Sequence, residues 1–420
     1  MRYYLCDYIW IHHYTIRLNI FFLSLVFFLS NGTNHNHLNF LFLNNICYSF
    51  FYFFSMKVSH LPRVQAKLVL SDGEEWHWES FGYLGNAVWE VVFNTGMIGY
   101  PETLTDPSYS GQILVCTFPI IWNYGIPDFD VINKFWLRKY FESDSIHIRA
   151  LIVCDYSEKY CHHEAIQSLS AFLIEHKIPA ITGIDTRALT QKIREWGALL
   201  GKIIIDGIAD TQEFKDPNTQ TLSYDVCTPE IQTYGSGKKK ICLVDMWVKN
   251  NILRNLLSLD TTIIRVPWYY PFMDGSISFD AVFLSNGPWD PELYRETIWE
   301  VKKALIKKIP IFGICLGNQL LSIAAGGKTR KLAYGHRWQN QPCKNLITGK
   351  CIVTSQNHGF VVEEESLPDG IKPWFRNLND GTNEGIYFSH QNARSVQFHP
   401  ESSPGPNDSQ SLIVDFIDSI

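Results

Sequence analysis

None of the ten cysteines forms a Cys-x-x-Cys pair or falls at a zinc-ligand spacing. That speaks against a zinc ribbon. Scattered over 420 residues, they read as reduced cytosolic thiols rather than a disulfide framework. Cys161-His162-His163 holds ligand-type residues, but adjacent side chains point apart and no fourth ligand stands nearby. It is read as a loop or helix start, and no metal is expected. No Gly-x-x-x-x-Gly-Lys-Ser/Thr occurs, so the chain has no P-loop for ATP. Positive charge is not in excess: 36 Lys and Arg against 42 Asp and Glu leave −6, which argues against a nucleic-acid binder. Long apolar runs are missing too. Residues 20 to 29 match the h-region of a signal peptide, fall short of a bilayer span, and precede no small-residue cleavage site. No membrane is expected, and the cytoplasm is the expected location.

What is present is globular. Hydrophobic residues at 46% and charged residues at 19% can bury a core, and the length suits two or three domains. Residues 1 to 56 stand apart: Phe, Tyr, Ile, Leu and Asn crowd them, with almost no acid. We read them as a non-native or disordered extension, the regular pattern starting after Met56. Residues 57 to 205 are expected to form a mixed α/β domain. Strands are expected near 66–70, 90–94, 113–118 and 148–154, with a helix around 171–174 and another from 186, capped by Asp185 or Thr186 and ended by Gly197. Between them, residues 95 to 111 look too polar for core and long for an idle loop. Residues 206 to 240 read as a linker. From Ile241 onward strand and helix alternate, the pattern of a doubly wound, mostly parallel sheet whose sites lie at the carboxyl ends of its strands.

The stretch from Pro310 to Gly326 reads as a buried strand, a turn and a helix. Gly313-Ile-Cys-Leu-Gly317 at the turn is the cysteine form of a nucleophile elbow. A thiol at a helix N-terminus is favoured as thiolate. A cysteine nucleophile needs a base, and the base needs a carboxylate to orient it. His399 and Glu401, two apart after a strand at 396–398, would share a side if extended. His358 in Ser355-Gln-Asn-His-Gly-Phe360 is a rival base, and the elbow does not choose between them; only His399 has a carboxylate two residues away. The backbone N–H groups of Gly287 and Leu316 would make an oxyanion hole.

With these residues in view, the second half resembles a class I, triad-type glutamine amidotransferase. The chain from Met56 resembles the glutamine-hydrolysing small subunits of carbamoyl phosphate synthetase. The motifs are Asn94-Thr-Gly-Met-Ile-Gly-Tyr-Pro-Glu102, Leu104-Thr-Asp-Pro-Ser-Tyr109, Gly183-Ile-Asp-Thr-Arg187, Ser285-Asn-Gly-Pro288, Gly313-Ile-Cys-Leu-Gly317, Gln356-Asn-His-Gly-Phe360 and His399-Pro-Glu401. The resemblance implies a Cys315–His399–Glu401 triad acting on the amide of L-glutamine. It implies Gly287 and Leu316 as oxyanion donors, and Gln319, Asn357, Gly359 and Phe360 as the glutamine clamp. Ser108 would be a contact from the first domain. A large synthetase subunit using ATP, Mg²⁺ and bicarbonate would receive the ammonia, for arginine or pyrimidine synthesis, with no cofactor in this chain. An amidotransferase serving another acceptor, such as chorismate, would leave the first-domain motifs without a purpose.

The chain departs from that family at Trp78, Trp89, Trp122, Trp247 and Trp289, where glycine is usual. At Trp289 that glycine ordinarily contacts the glutamine backbone. UGA is read as Trp in some genetic codes and Gly in others, and some of these positions are hypothesised to be Gly in the native protein. A subunit that docks without hydrolysing glutamine is the alternative if Trp289 is native.

Overall fold

A computed structural model describes residues 63–119, 123–219 and 227–420. The expected extension and Trp122 lie outside the described residues. Residues 62–420 form one compact unit carrying a closed barrel, a ten-stranded sheet and a small two-stranded sheet.

In the first half, β1 (Gln65–Leu70), β2 (Glu75–Ser80), β3 (Ala87–Asn94), β4 (Gln112–Cys116), β6 (Ala150–Val153), β8 (Ala180–Thr182) and β9 (Leu199–Ile205) close a barrel. Its order is β1-β2-β8-β6-β4-β3-β9; β5 (Ile126–Pro127) and β7 (Ala165–Gln167) pair apart from it. Strand alternation sorts the core. Leu68, Val91, Phe93, Ile113, Val115 and Ile203 join one cluster that draws on strands all round the barrel. The intervening Val92, Leu114 and Cys116 pack outward on Phe172 and Leu173 of α2 (Leu169–Glu175). Asp185 caps α3 (Thr186–Trp196) through Ala188 N–H, and Gly197 ends it at φ 90°. The closed barrel was not legible in the sequence, because closure is set by which strands pair, not by their patterning.

Residues 95 to 111 differ from expectation: they are not merely a surface loop. Tyr100–Leu104 forms the short helix α1, Pro107–Tyr109 a single 3₁₀ turn, and most of the segment is buried. Its polar groups are satisfied locally, Thr103 and Thr105 donating to the carbonyls of Gly99 and Pro101, and Asp106 accepting from Ser108 N–H. Once paired, such groups are no longer expensive to bury.

The second sheet has ten strands. β11 (Lys239–Asp245), β12 (Thr261–Pro267), β13 (Ala281–Leu284), β14 (Ile311–Ile314) and β19 (Ala393–Val396) are its parallel core, in the order β12-β11-β13-β14-β19. Both faces are covered, as continuous apolar strands require. Leu243, Phe283 and Phe312 pack on helices α4 (Asn250–Leu257) and α7 (Ser411–Asp418). Val244, Val282 and Ile311 pack on α5 (Arg295–Ile306) and α6 (Leu316–Ala324). The doubly wound expectation describes these five strands. Beyond β19 the sheet continues antiparallel through β18 (Asn383–Phe388), β17 (Ile371–Asn377), β15 (Lys328–Asn345) and β16 (Cys351–Glu363). At the other edge β10 (Gln232–Tyr234), inside the expected linker, pairs antiparallel with β12.

Candidate active site

The elbow is built by glycine. A Cβ on Gly313 would stand 2.6 Å from the carbonyl carbon of Gly317, and one on Gly317 would stand 2.5 Å from the Leu284 carbonyl oxygen. Strand and helix can cross this closely only without side chains. The crossing leaves Cys315 at φ 56° and ψ −104°, a conformation L-residues rarely hold, at the N-terminus of α6. Its Sγ lies 3.6 Å from the Asn357 carbonyl oxygen.

His399 and Glu401 follow the end of β19. The strand stops at Val396, and His399 joins Ser355 through an isolated bridge before a turn. The turn, rather than an extended segment, brings the pair together: His399 Nδ1 is 2.7 Å from Glu401 Oε1. Both are buried, and His399 Nε2 has no protein hydrogen-bond partner. Burial alone would lower the His399 pKa, but the charges of Glu401 and Cys315 outweigh it and hold the imidazole above its ordinary range. Burial likewise works to raise the Glu401 pKa, and His399 and Lys249 outweigh it to hold the carboxyl below its ordinary range. The pair is therefore poised as imidazolium and carboxylate. Lys249, from the loop after β11, puts Nζ 3.2 Å from Glu401 Oε1 and 2.9 Å from the Ser402 carbonyl oxygen.

The rival base is tied elsewhere. His358 Nδ1 is 2.9 Å from the Phe360 carbonyl oxygen and Nε2 is 3.3 Å from Gln356 Oε1, and burial holds its pKa well below 6.5.

One cleft is lined by Gly287, Trp289, Cys315, Gln319, Asn357, Gly359 and Phe360, with Ser108 on the barrel side. Gly287 lies beyond the carboxyl end of β13; a Cβ there would meet the Met246 carbonyl oxygen at 2.2 Å, so no other residue fits. The Leu316 side chain is buried in the core, its Cδ2 2.6 Å from where a Cβ on Gly287 would stand, and Leu316 does not itself line the cleft. Gln319 Nε2 donates to the Phe360 carbonyl at 2.9 Å. The first half of the chain reaches the cleft by several contacts: Asn286 Nδ2 donates to Ser108 Oγ at 3.0 Å, Asn357 Nδ2 to Asp106 Oδ2 at 3.1 Å, Trp289 Nε1 to the Ser110 carbonyl at 3.1 Å and Lys331 Nζ to Glu90 Oε1 at 2.9 Å.

Asp106 and Lys249 were missed in the sequence. Asp106 had a signal, since Asp before Pro-Ser is turn-capping chemistry. Lys249 had none; only the fold sets it against Glu401.

The tryptophans divide. Trp247 and Trp289 hold φ 79° and 71°, in the left-handed region that favours glycine. Trp78 and Trp89 lie in β2 and β3 and hold no positive φ. Trp136, which the sequence reading passed over, holds φ 63° and is 81% exposed.

The chain matches glutamine amidotransferase class-I over residues 242–419, the class to which the elbow and the parallel sheet point. Residues 68–203 match the carbamoyl-phosphate synthase small chain, CPSase domain. The carbamoyl phosphate synthase arginine-specific small chain of Chaetomium globosum is 42% identical over 363 residues, 85% of this chain and 78% of that one. The chain belongs to the carbamoyl phosphate synthase small-chain family. It is also 44% identical over 379 residues to the multifunctional protein pyr1-3 of Dictyostelium discoideum, and 44% identical over 351 residues to the mitochondrial carbamoyl-phosphate synthase (ammonia) of Aquarana catesbeiana. It covers 17% and 23% of the length of these two relatives.

Proposed function

We propose that this chain hydrolyses L-glutamine and delivers the ammonia to a large carbamoyl phosphate synthetase subunit. The observation that carries the reading is Cys315, held at a strained elbow in a cleft, beside a buried His399–Glu401 pair at 2.7 Å. The Cys315 thiolate attacks the amide carbon of glutamine. The N–H groups of Gly287 and Leu316 receive the developing oxyanion. The C–N bond breaks as His399 gives a proton to the leaving nitrogen, releasing ammonia and leaving a glutamyl thioester. Water, deprotonated by His399, cleaves the thioester to glutamate and free thiol. Glu401 keeps the imidazole oriented, and Lys249 holds Glu401. Ser108, Gln319, Asn357, Gly359 and Phe360 hold the glutamine. ATP, Mg²⁺ and bicarbonate belong to the partner, which makes carbamoyl phosphate in the cytoplasm for arginine or pyrimidine synthesis. Among the described residues no helix is long and apolar enough to cross a membrane.

A second reading, a docking subunit without glutaminase activity, is favoured by Trp289 alone, which brings an indole into the cleft. Glutamate release by the purified complex decides. Release by the native protein and none by Cys315→Ala supports the glutaminase; equal release by both rejects Cys315 as nucleophile.

A further inference from the structure

Under the glutamine cleft, three antiparallel strands and a turn bring together His336 of β15, His358 of β16, Glu384 of β18 and Asp380. One nitrogen from each imidazole and one carboxylate oxygen of Glu384 lie within 4.8 Å of one another, all three residues being buried. Each ring has its other nitrogen engaged. His336 Nε2 is 2.8 Å from Asp380 Oδ2, and His358 Nδ1 is 2.9 Å from the Phe360 carbonyl oxygen. An imidazole whose far N–H is held by a carboxylate or carbonyl turns its lone-pair nitrogen toward the opposite side, which is how metal-binding histidines are oriented. Here the other two nitrogens lie near Glu384: His336 Nδ1 is 3.4 Å and His358 Nε2 4.0 Å from Glu384 Oε1, with His358 Nε2 also 3.3 Å from Gln356 Oε1.

Two atoms of this cluster are short of partners. His336 Nδ1 and Glu384 Oε2 are buried without a hydrogen bond; His336 Nδ1 has the 3.4 Å ion-pair contact to Glu384 Oε1, which also accepts from Asn377 Nδ2 at 3.0 Å, so the unmet capacity lies at Oε2. A buried ionisable group left so is costly unless something binds it. Ligands about 2.0–2.2 Å from a tetrahedral zinc ion stand roughly 3.3 Å apart. The 3.4 Å edge already fits; the 4.0 Å edge must close by about 0.7 Å and the edge between the two imidazole nitrogens, within 4.8 Å, by up to about 1.5 Å, as side-chain rotation allows. Gln356 Oε1, 3.3 Å from His358 Nε2, faces the fourth corner.

We propose that His336, His358 and Glu384 form a structural site for a divalent cation of the zinc class, with Asp380 orienting His336. The site pins β15, β16 and β18 together. Because His358 lies between Asn357 and Gly359, it also fixes the strand that lines the glutamine cleft. No sequence spacing reveals it, since each ligand comes from a different strand. It does not depend on Cys315 or on the glutaminase reading.

The test uses the full-length protein, stripped by a chelator, reloaded with Zn²⁺ or Co²⁺ alone and passed through gel filtration. One retained equivalent by elemental analysis, and cobalt visible bands of low-coordinate type, are expected. Glu384→Gln should lose retention, and Asp380→Asn should keep the stoichiometry but weaken affinity about 10- to 100-fold. The partly exposed Asp380 keeps the proposal open to refutation if Glu384→Gln does not fold. A Cys161→Ser/His162→Gln variant should bind as the native protein does. Three results overturn the site: no retention by the native protein, unchanged affinity in Asp380→Asn, or loss of the metal with Cys161 and His162.

Discussion

The indole rings of Trp247 and Trp289 meet with centroids 5.5 Å apart, and both residues hold a positive φ. Trp289 Nε1 also donates to the Ser110 carbonyl at 3.1 Å, so the indole bridges from the elbow side of the sheet to the barrel. An L-residue in the left-handed region costs about 1–2 kcal/mol relative to glycine. Trp289→Gly should remove that strain while losing indole packing, leaving stability close to unchanged and lowering KM for glutamine. Trp289→Ala opens the cleft but keeps a Cβ at φ 71°, so it should lower KM and also lose stability. Steady-state glutaminase kinetics and urea unfolding of both variants check this; an unchanged KM in both rejects obstruction by the indole. Peptide masses across residue 289 of the native product test the Gly hypothesis directly, and a Trp mass ends it.

Asp106 ties the first half of the chain to the proposed glutamine clamp through one carboxylate, accepting from Ser108 N–H with Oδ1 and from Asn357 Nδ2 with Oδ2. Asp106→Asn keeps one acceptor and loses the other. A hydrogen bond to a charged group contributes about 1.5–3 kcal/mol, so KM for glutamine should rise about 10- to 100-fold with kcat little changed. Alkylation of Cys315 by iodoacetamide should proceed at the native rate. A fall in kcat with KM unchanged would contradict the clamp role.

The His399–Glu401 pair makes stability pH-dependent in a defined direction. Glu401 has its folded pKa depressed from 4.5 to about 2, against burial, by His399 and Lys249. Its contribution is therefore present above 4.5 and lost as pH falls toward 2. His399 has its pKa raised, so its contribution is complete below 6.5 and lost as pH rises through the folded value. Glu401→Gln should be less stable than the native protein at pH 6, and the gap should narrow progressively below pH 4.5. Urea unfolding across that range measures it. A gap that stays constant on acidification excludes Glu401 as the titrating group.

Gly317→Ala places a methyl 2.5 Å from the Leu284 carbonyl oxygen. Strand and helix must part, at a cost of about 1–3 kcal/mol, and Cys315 must move with them. Glutaminase activity should fall at least tenfold even where the variant folds, as circular dichroism can establish. Native activity in that variant would show that the close crossing is not needed.

Residue type and order alone determined much of this protein. Short apolar runs at 241–244, 281–284 and 311–314 announce buried parallel strands because a strand covered on both faces has no polar side to show. Gly313 and Gly317 announce the elbow because no side chain fits there. Asp185 and Gly197 mark the ends of α3 through local capping chemistry. Tertiary structure decided the rest. Barrel closure, the burial of residues 95 to 111, the antiparallel half of the second sheet and the pairing of β10 with β12 all depend on contacts between segments far apart in the chain. Lys249 meets Glu401 across 152 residues, and His336, His358 and Glu384 meet across three strands. Local sequence carries capping, periodicity and steric allowance; it does not carry the strand order that sets which distant side chains share a site.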